Sequence, residues 1–234
     1  MQSVTPSLQS SNTPLPRVRA ITFDVGGTLI EPWPSVGHVY AEVASKFGVR
    51  TIAPQQLTAN FIRAWKAQTH FDYRRKSWFA LVRDTFAPVE LPPEFFPAVY
   101  DRFAAPDVWY VYEDVVPTLT GLKERGFKLG IISNWDERLR PLLARLVLAQ
   151  FFDCQIISCE VGATKPDARL FQQAAAELDV APDELLHVGD HHEFDVLGVA
   201  RAGSQGRQIE RRRPLTEPWQ IASLRELLAG ISNH

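Results

Sequence analysis

The chain has 234 residues, is 45% apolar and 22% charged, and carries a net charge of −2. That is enough for a substantial hydrophobic core, in one large domain or in a core with an insert. A near-neutral balance excludes a broad electrostatic footprint for nucleic acid or an anionic membrane, and no apolar run approaches membrane-spanning length.

Residues 1–16, MQSVTPSLQSSNTPLP, are polar and rich in Ser, Thr and Pro, the composition of a disordered tail. A short apolar run predicts a first strand over Ala20–Phe23. From Pro32 to about Val108 the pattern is helical only, with helices predicted over 35–47, 54–67, 77–86 and 93–104 and Gly or Pro at the joints. Phe61, Trp65, Trp78, Phe79, Phe95 and Phe96 are core candidates of that block. YRRK, Tyr73 to Lys76, reads as a basic loop near a helix start, or as a group meeting an anionic substrate.

Strands and helices then alternate. Helices are predicted over 114–125, 138–149, 168–178 and 193–202, and strands over 128–132, 155–157 and 185–188. Cys154 and Cys159 lack CxxC spacing and read as reduced thiols; with no signal-peptide apolar region at the start, this points to the cytoplasm. GSQGRQIERRR fits an edge strand or a loop, and its basic part, Arg207 to Arg213, reads as a solvated loop rather than a binding patch. Trp219 to Leu228 reads as a closing helix. The expected fold is α/β: a three-layer, doubly wound parallel sheet with an inserted helical bundle. Residues 17–31 and 109–234 would form the α/β domain, and 32–108 the insert.

Ligands of parallel α/β sheets sit at the carboxyl ends of the strands. There the sequence places Asp24, the run Ser133 to Asp136, and Asp190 with Asp195 five residues further on; Lys165 stands just before a helix. Such a set suits phosphoryl transfer. A carboxylate attacks and forms an acyl phosphate. A hydroxyl and an ammonium stabilise the equatorial oxygens. Clustered acids hold a hard divalent ion, most simply Mg2+.

The ordered set FDVGGTL, IISNWD, KPD and HVGDHHEFD resembles the four motifs of the haloacid dehalogenase superfamily. The helical insert resembles the cap of its first subfamily. The segment WYVYEDVVPTLTGLKERGFKLGIISNWDERLRPLL resembles the branch of haloacid dehalogenase-like hydrolase domain proteins of the third type. The resemblance implies a Rossmann-like core and assigns roles. Asp24 would be the nucleophile and a metal ligand, with the Gly26 carbonyl as a second ligand. Thr28 would steady the loop, and Ser133 and Asn134 would bind the transferring group. Lys165 would neutralise Asp24 and the phosphate. Asp190 would bind Mg2+ directly, and Asp195 through water or as a partner of Lys165.

Gly26 departs from the family's phosphatases, which carry a second Asp there as general acid and base, help worth roughly 10²–10⁴ in rate. Three readings follow. One is a phosphatase for a small phosphorylated metabolite with a good leaving group, with Asp136, Glu160, His191 and His192 as candidate substitute bases. Another is carbon–halogen or carbon–phosphorus hydrolysis, with Lys66 as the candidate Schiff-base lysine of the phosphonate-cleaving branch. The third is a non-catalytic ligand- or partner-binding protein. The pair His191–His192 reads as a helix start, since adjacent side chains diverge. A lidded cleft suits a small molecule; no nucleic-acid or membrane partner is expected, and nothing fixes the oligomeric state.

Overall fold

The computed structural model describes residues 18–230, so the tail expected over 1–16 lies outside the described residues. In chain order, β1 (Ala20–Phe23) and β2 (Ile30–Pro32) precede four helices, α1 (Val36–Lys46), α2 (Pro54–Lys66), α3 (Arg75–Phe86) and α4 (Phe95–Arg102). Then come β3 (Trp109–Val111), α5 (Val115–Glu124), β4 (Lys128–Ser133), α6 (Leu139–Arg145), β5 (Cys154–Ile157), α7 (Ser158–Val161) and α8 (Ala168–Glu177). β6 (Leu185–Gly189), a π-helical turn over His192–Leu197, α9 (Gly198–Arg201), β7 (Gln205–Ile209), β8 (Gln220–Ile221) and α10 (Glu226–Gly230) close the order.

The described residues fall into two compact units. One holds the chain up to Leu29, Tyr112–Asn134 and everything from Leu148 onward; the other holds Ile30–Val111 and Trp135–Val147. The second unit thus takes α6 as well as the helical insert, although α6 lies inside the range 109–234 expected for the α/β part.

The first unit is built on a six-stranded sheet in the order β5-β4-β1-β6-β7-β8, every pair parallel. β1 is buried along its whole length, as a strand covered on both faces must be, which is why its sequence is a continuous apolar run rather than an alternation. The chain moves from β1 to β4 and β5 on one side, then back to β6 on the other. The strand order therefore reverses at β1, and a crevice opens at the carboxyl ends of β1, β4 and β6. Leu170, Phe171, Ala174 and Ala175, one face of α8, pack on Ile132, Ile156 and Leu185 of the sheet.

The second unit has its own core. Tyr40, Val43 and Ala44 of α1 meet Leu57 of α2, Val82 and Phe86 of α3, and Phe95, Phe96 and Val99 of α4. Phe86 sits edge-on to Phe95 with ring centroids 5.1 Å apart. Trp65 and Trp78 stack at 5.8 Å, and Tyr73 joins them edge-on. Arg75 opens α3, two residues before the expected start, with its guanidinium over Tyr100. Lys66 is exposed in the last turn of α2.

Three expectations need correction. The run Arg207 to Arg213 is not one solvated loop: Gly206–Ile209 are buried in β7, which has β6 on one side and β8 on the other. Arg211 pairs with Asp114 at 3.1 Å, and Arg213, exposed, with Glu210 at 2.7 Å. The closing helix over 219–228 is instead a short strand, β8, hydrogen-bonded to β7, with a helix only from Glu226. The helix expected over 138–149 ends at Arg145, and Val147 follows in the left-handed region at φ 59°. The sequence also gave no sign of β2 and β3, a three-residue antiparallel pair in the second unit.

Candidate active site

β1 ends at Phe23, and Asp24 continues its register, its N–H donating to Val188 O at 2.9 Å. The next five residues turn sharply: Leu29 N–H returns to Val25 O at 2.8 Å. Gly27 makes that turn at φ 77°, where an L side chain is strained. Arg211 donates to the Thr28 carbonyl at 2.6 Å, which ties down the far end of the loop. The Thr28 hydroxyl is buried without a partner.

The side chains expected at this edge converge. Asp24 Oδ1 accepts from Ser133 Oγ at 2.9 Å and from Lys165 Nζ at 2.7 Å. Asp24 Oδ2 accepts no hydrogen bond among the described residues. Lys165 Nζ also donates to Asp195 Oδ1 at 2.5 Å. Asn134 is spent on Lys165 itself: its Oδ1 accepts from Lys165 N at 2.7 Å, and its Nδ2 donates to Lys165 O at 3.2 Å. Asn134 thereby fixes the backbone that presents the ammonium.

The acids are packed to the limit of the backbone. A Cβ on Gly189 would lie 2.1 Å from Asp195 Cγ, so only glycine leaves room for that carboxylate. Asp195 is almost wholly buried and bonded at both oxygens: Oδ1 takes Lys165 and His187, and Oδ2 accepts from His191 N–H at 2.9 Å. Burial alone would raise its pKa, but Lys165 and His187 overturn that and hold it well below the ordinary carboxylate range. Burial likewise opposes the charge on Lys165, and Asp195 and Asp24 together hold its pKa above the ordinary value. Asp190 has no such cation of its own. Partial loss of surrounding water, then repulsion from Asp24 and Asp195, pushes its carboxyl up to about 7, although the residue keeps an exposed face.

Oxygen atoms of Asp24, Asp190 and Asp195 lie within 4.8 Å of one another. Three carboxylates share one ammonium, and oxygen-only donors at this spacing suit a hard divalent cation such as Mg2+. The residues fit that ion: Asp24 and Asp190 have oxygens to offer, and Asp195 Oδ2, which takes one hydrogen bond, keeps a lone pair.

Each candidate base has its own surroundings. Asp136 belongs to the second unit, where Arg138 holds it at 2.8 and 2.5 Å. Glu160 is exposed in α7. His191 begins the π-helical turn, its Nδ1 accepting from Phe194 N at 3.4 Å, and His192 lies against Trp219. The helix-start reading of the pair agrees with this geometry.

Sequence reasoning passed over His187. It lies in the wall of the site on β6, hydrogen-bonded to Asp195 at 3.2 Å. The available signal was a single imidazole in the otherwise apolar strand LLHVG.

A family description, "haloacid dehalogenase-like hydrolase", matches residues 18–203. The chain is 32% identical over 213 residues to haloacid dehalogenase-like hydrolase domain-containing protein 3 of Mus musculus, covering 85% of this chain and 84% of that protein. It is 40% identical over 106 residues, 43% of each chain, to a glyceraldehyde 3-phosphate phosphatase of Methanopyrus kandleri. The crystal structure of a HAD phosphatase from Thermococcus onnurineus superposes with a TM-score of 0.64 at 25% identity, over 92% of this chain and 99% of that one.

Proposed function

The chain belongs to the haloacid dehalogenase-like hydrolase family, and on that premise we propose that this hydrolase is a Mg2+-dependent phosphatase acting on a small phosphorylated metabolite through Asp24. The observation that carries the reading is the division of labour on one carboxylate. Oδ1 is pinned by Ser133 and Lys165, and Oδ2 is left without a hydrogen bond. That fixes the group while leaving an oxygen to react.

Oδ2 attacks phosphorus, and the bond from phosphorus to the leaving oxygen breaks with its electron pair. Water then cleaves the acyl phosphate, releasing phosphate and restoring the carboxylate. Lys165 stays charged between Asp24 and Asp195 and faces the incoming anion. Asp24 and Asp190 would hold Mg2+, with the Gly26 carbonyl beside them. Bound there, the cation supplies charge neutralisation for the phosphoryl group.

Gly26 brings no proton to the leaving oxygen. This favours substrates whose leaving group departs unprotonated, such as acyl phosphates. The kinship with a glyceraldehyde 3-phosphate phosphatase supports phosphoester chemistry on a small substrate. The cytosol, where such metabolites and reduced thiols coexist, is the compartment this reading requires.

The test is phosphate release from acetyl phosphate and p-nitrophenyl phosphate, with and without Mg2+, by the wild type, Asp24→Asn and Gly26→Asp. The expected result is metal-dependent turnover of acetyl phosphate that Asp24→Asn abolishes and Gly26→Asp extends toward the poorer leaving group. Full activity in Asp24→Asn would overturn the proposal.

A further inference from the structure

A buried histidine stands behind the nucleophile. His187 is fully buried in β6, with Phe171 edge-on at 5.1 Å. Its Nδ1 lies 2.9 Å from Thr22 Oγ1, and its Nε2 lies 3.2 Å from Asp195 Oδ1. An ionised carboxylate only accepts, so Nε2 carries the proton. Burial pushes the ring below its ordinary pKa against the pull of Asp195. A neutral ring protonated at Nε2 leaves a lone pair on Nδ1, and the Thr22 hydroxyl is placed to donate to it.

The bonds then run in one line from β1 through β6 and back to the end of β1. Thr22 on β1 donates to His187 on β6, and His187 donates to Asp195 beyond the end of β6. Asp195 shares that same oxygen with Lys165, whose ammonium reaches Asp24 at the end of β1. A carboxylate with one oxygen held by both His187 and Lys165 has little rotational freedom. Without His187, Oδ1 would keep only Lys165, and the carboxylate would be held by that ammonium and by the His191 N–H on Oδ2, with nothing fixing Oδ1 from the side of β6.

We propose that His187 is a positioning residue: its Nε2–H fixes the Asp195 carboxylate, and that carboxylate aims Lys165 at Asp24. The inference rests on the reading of Asp24 as nucleophile given above. Outer groups of this kind typically cost roughly 10- to 100-fold in metal affinity or activity when removed.

Two substitutions separate positioning from packing. In His187→Gln the terminal amide nitrogen reaches about where Nε2 stood and can still donate to Asp195. In His187→Asn the shorter amide reaches the Nδ1 position and keeps only Thr22. Both lose the ring contact with Phe171. Mg2+ affinity is read by calorimetry, kcat and KM are read on acetyl phosphate, and the histidine ring nitrogens of the wild type and Asp195→Asn are read by 15N NMR. The expected result is a neutral, Nε2-protonated ring whose signal moves in Asp195→Asn. His187→Asn should weaken Mg2+ binding or lower kcat by roughly 10- to 100-fold with KM little changed, and His187→Gln should recover most of it. A ring protonated at Nδ1, or equal effects of Asn and Gln, would overturn the proposal. Absence of turnover in the wild type, with the ring signal and the Asn–Gln split in Mg2+ affinity intact, overturns the hydrolytic reading instead.

Discussion

Gly27 and Asp190 occupy one another's space: a Cβ on Gly27 would lie 2.3 Å from Asp190 Oδ2. The two residues are far apart in sequence, yet the loop after β1 and the loop after β6 meet backbone to carboxylate. Gly27→Ala must therefore push Asp190 out of the acidic cluster, and it also places an L side chain at φ 77°, a conformation costing roughly 1–2 kcal/mol. The expected outcome is a lower melting temperature together with weakened Mg2+ binding, measured by calorimetry on the folded protein.

Among the described residues Lys165 is the one ammonium or guanidinium that bonds to Asp24 or Asp195. Removing one partner of a buried ion pair leaves an uncompensated charge and costs about 3–5 kcal/mol. Lys165→Met should lose hydrolysis altogether and destabilise the fold by that order, as read from denaturant unfolding. A variant that is inactive yet as stable as the wild type would show that the carboxylates have found another partner.

Asp114 accepts four hydrogen bonds from two distant segments: one from each arm of the Arg211 fork, and one each from Ser223 Oγ and Leu224 N, with Arg211 also reaching the Thr28 carbonyl. Burial would raise its pKa, but Arg211 and the Leu224 and Ser223 hydrogen bonds prevail and lower it. A carboxyl depressed in the folded state stabilises the fold above its unfolded pKa of about 3.9, and that stability is lost as pH falls through the folded value. Asp114→Asn should therefore lower stability at neutral pH and flatten the acid limb of a melting-temperature profile below about pH 4. An acid limb as steep as that of the wild type would assign the acid sensitivity to other groups.

Phe86 is wholly buried between Tyr40 and Phe95 in the second unit. Phe86→Ala should cost about 3–5 kcal/mol through lost contacts and a residual cavity. The acidic cluster lies in the first unit, so the Mg2+ affinity of the folded protein should stay unchanged by calorimetry. A matched fall in affinity and stability would mean that the two units unfold and bind as one.

The sequence by itself determined the elements whose physics is local. β1 is Ala20–Phe23 in both readings, because a strand buried on both faces must be an apolar run. The helices of the insert are legible from their 3.6-residue apolar spacing, and Asp24, Ser133 and Asp190 stand out as polar groups at the ends of apolar strand runs, with Lys165 before a helix and Asp195 five residues after Asp190.

Tertiary structure decided what depends on partners far away in the chain. β7 is buried although it reads QGRQI, and Gln208 within it donates to the Asp190 carbonyl at 3.0 Å and accepts from the Gln220 amide at 3.2 Å, partners that lie far away in the chain. The 219–228 helix gave way to β8 because β7 offers a free edge to Gln220 and Ile221. Asn134 became a support for Lys165, and His187 a partner of Asp195, only when strand order set β1 between β4 and β6. Periodicity reports which face of an element is buried. It carries no information on which elements become neighbours, and at this site the hydrogen bonds that place each carboxylate run between neighbours.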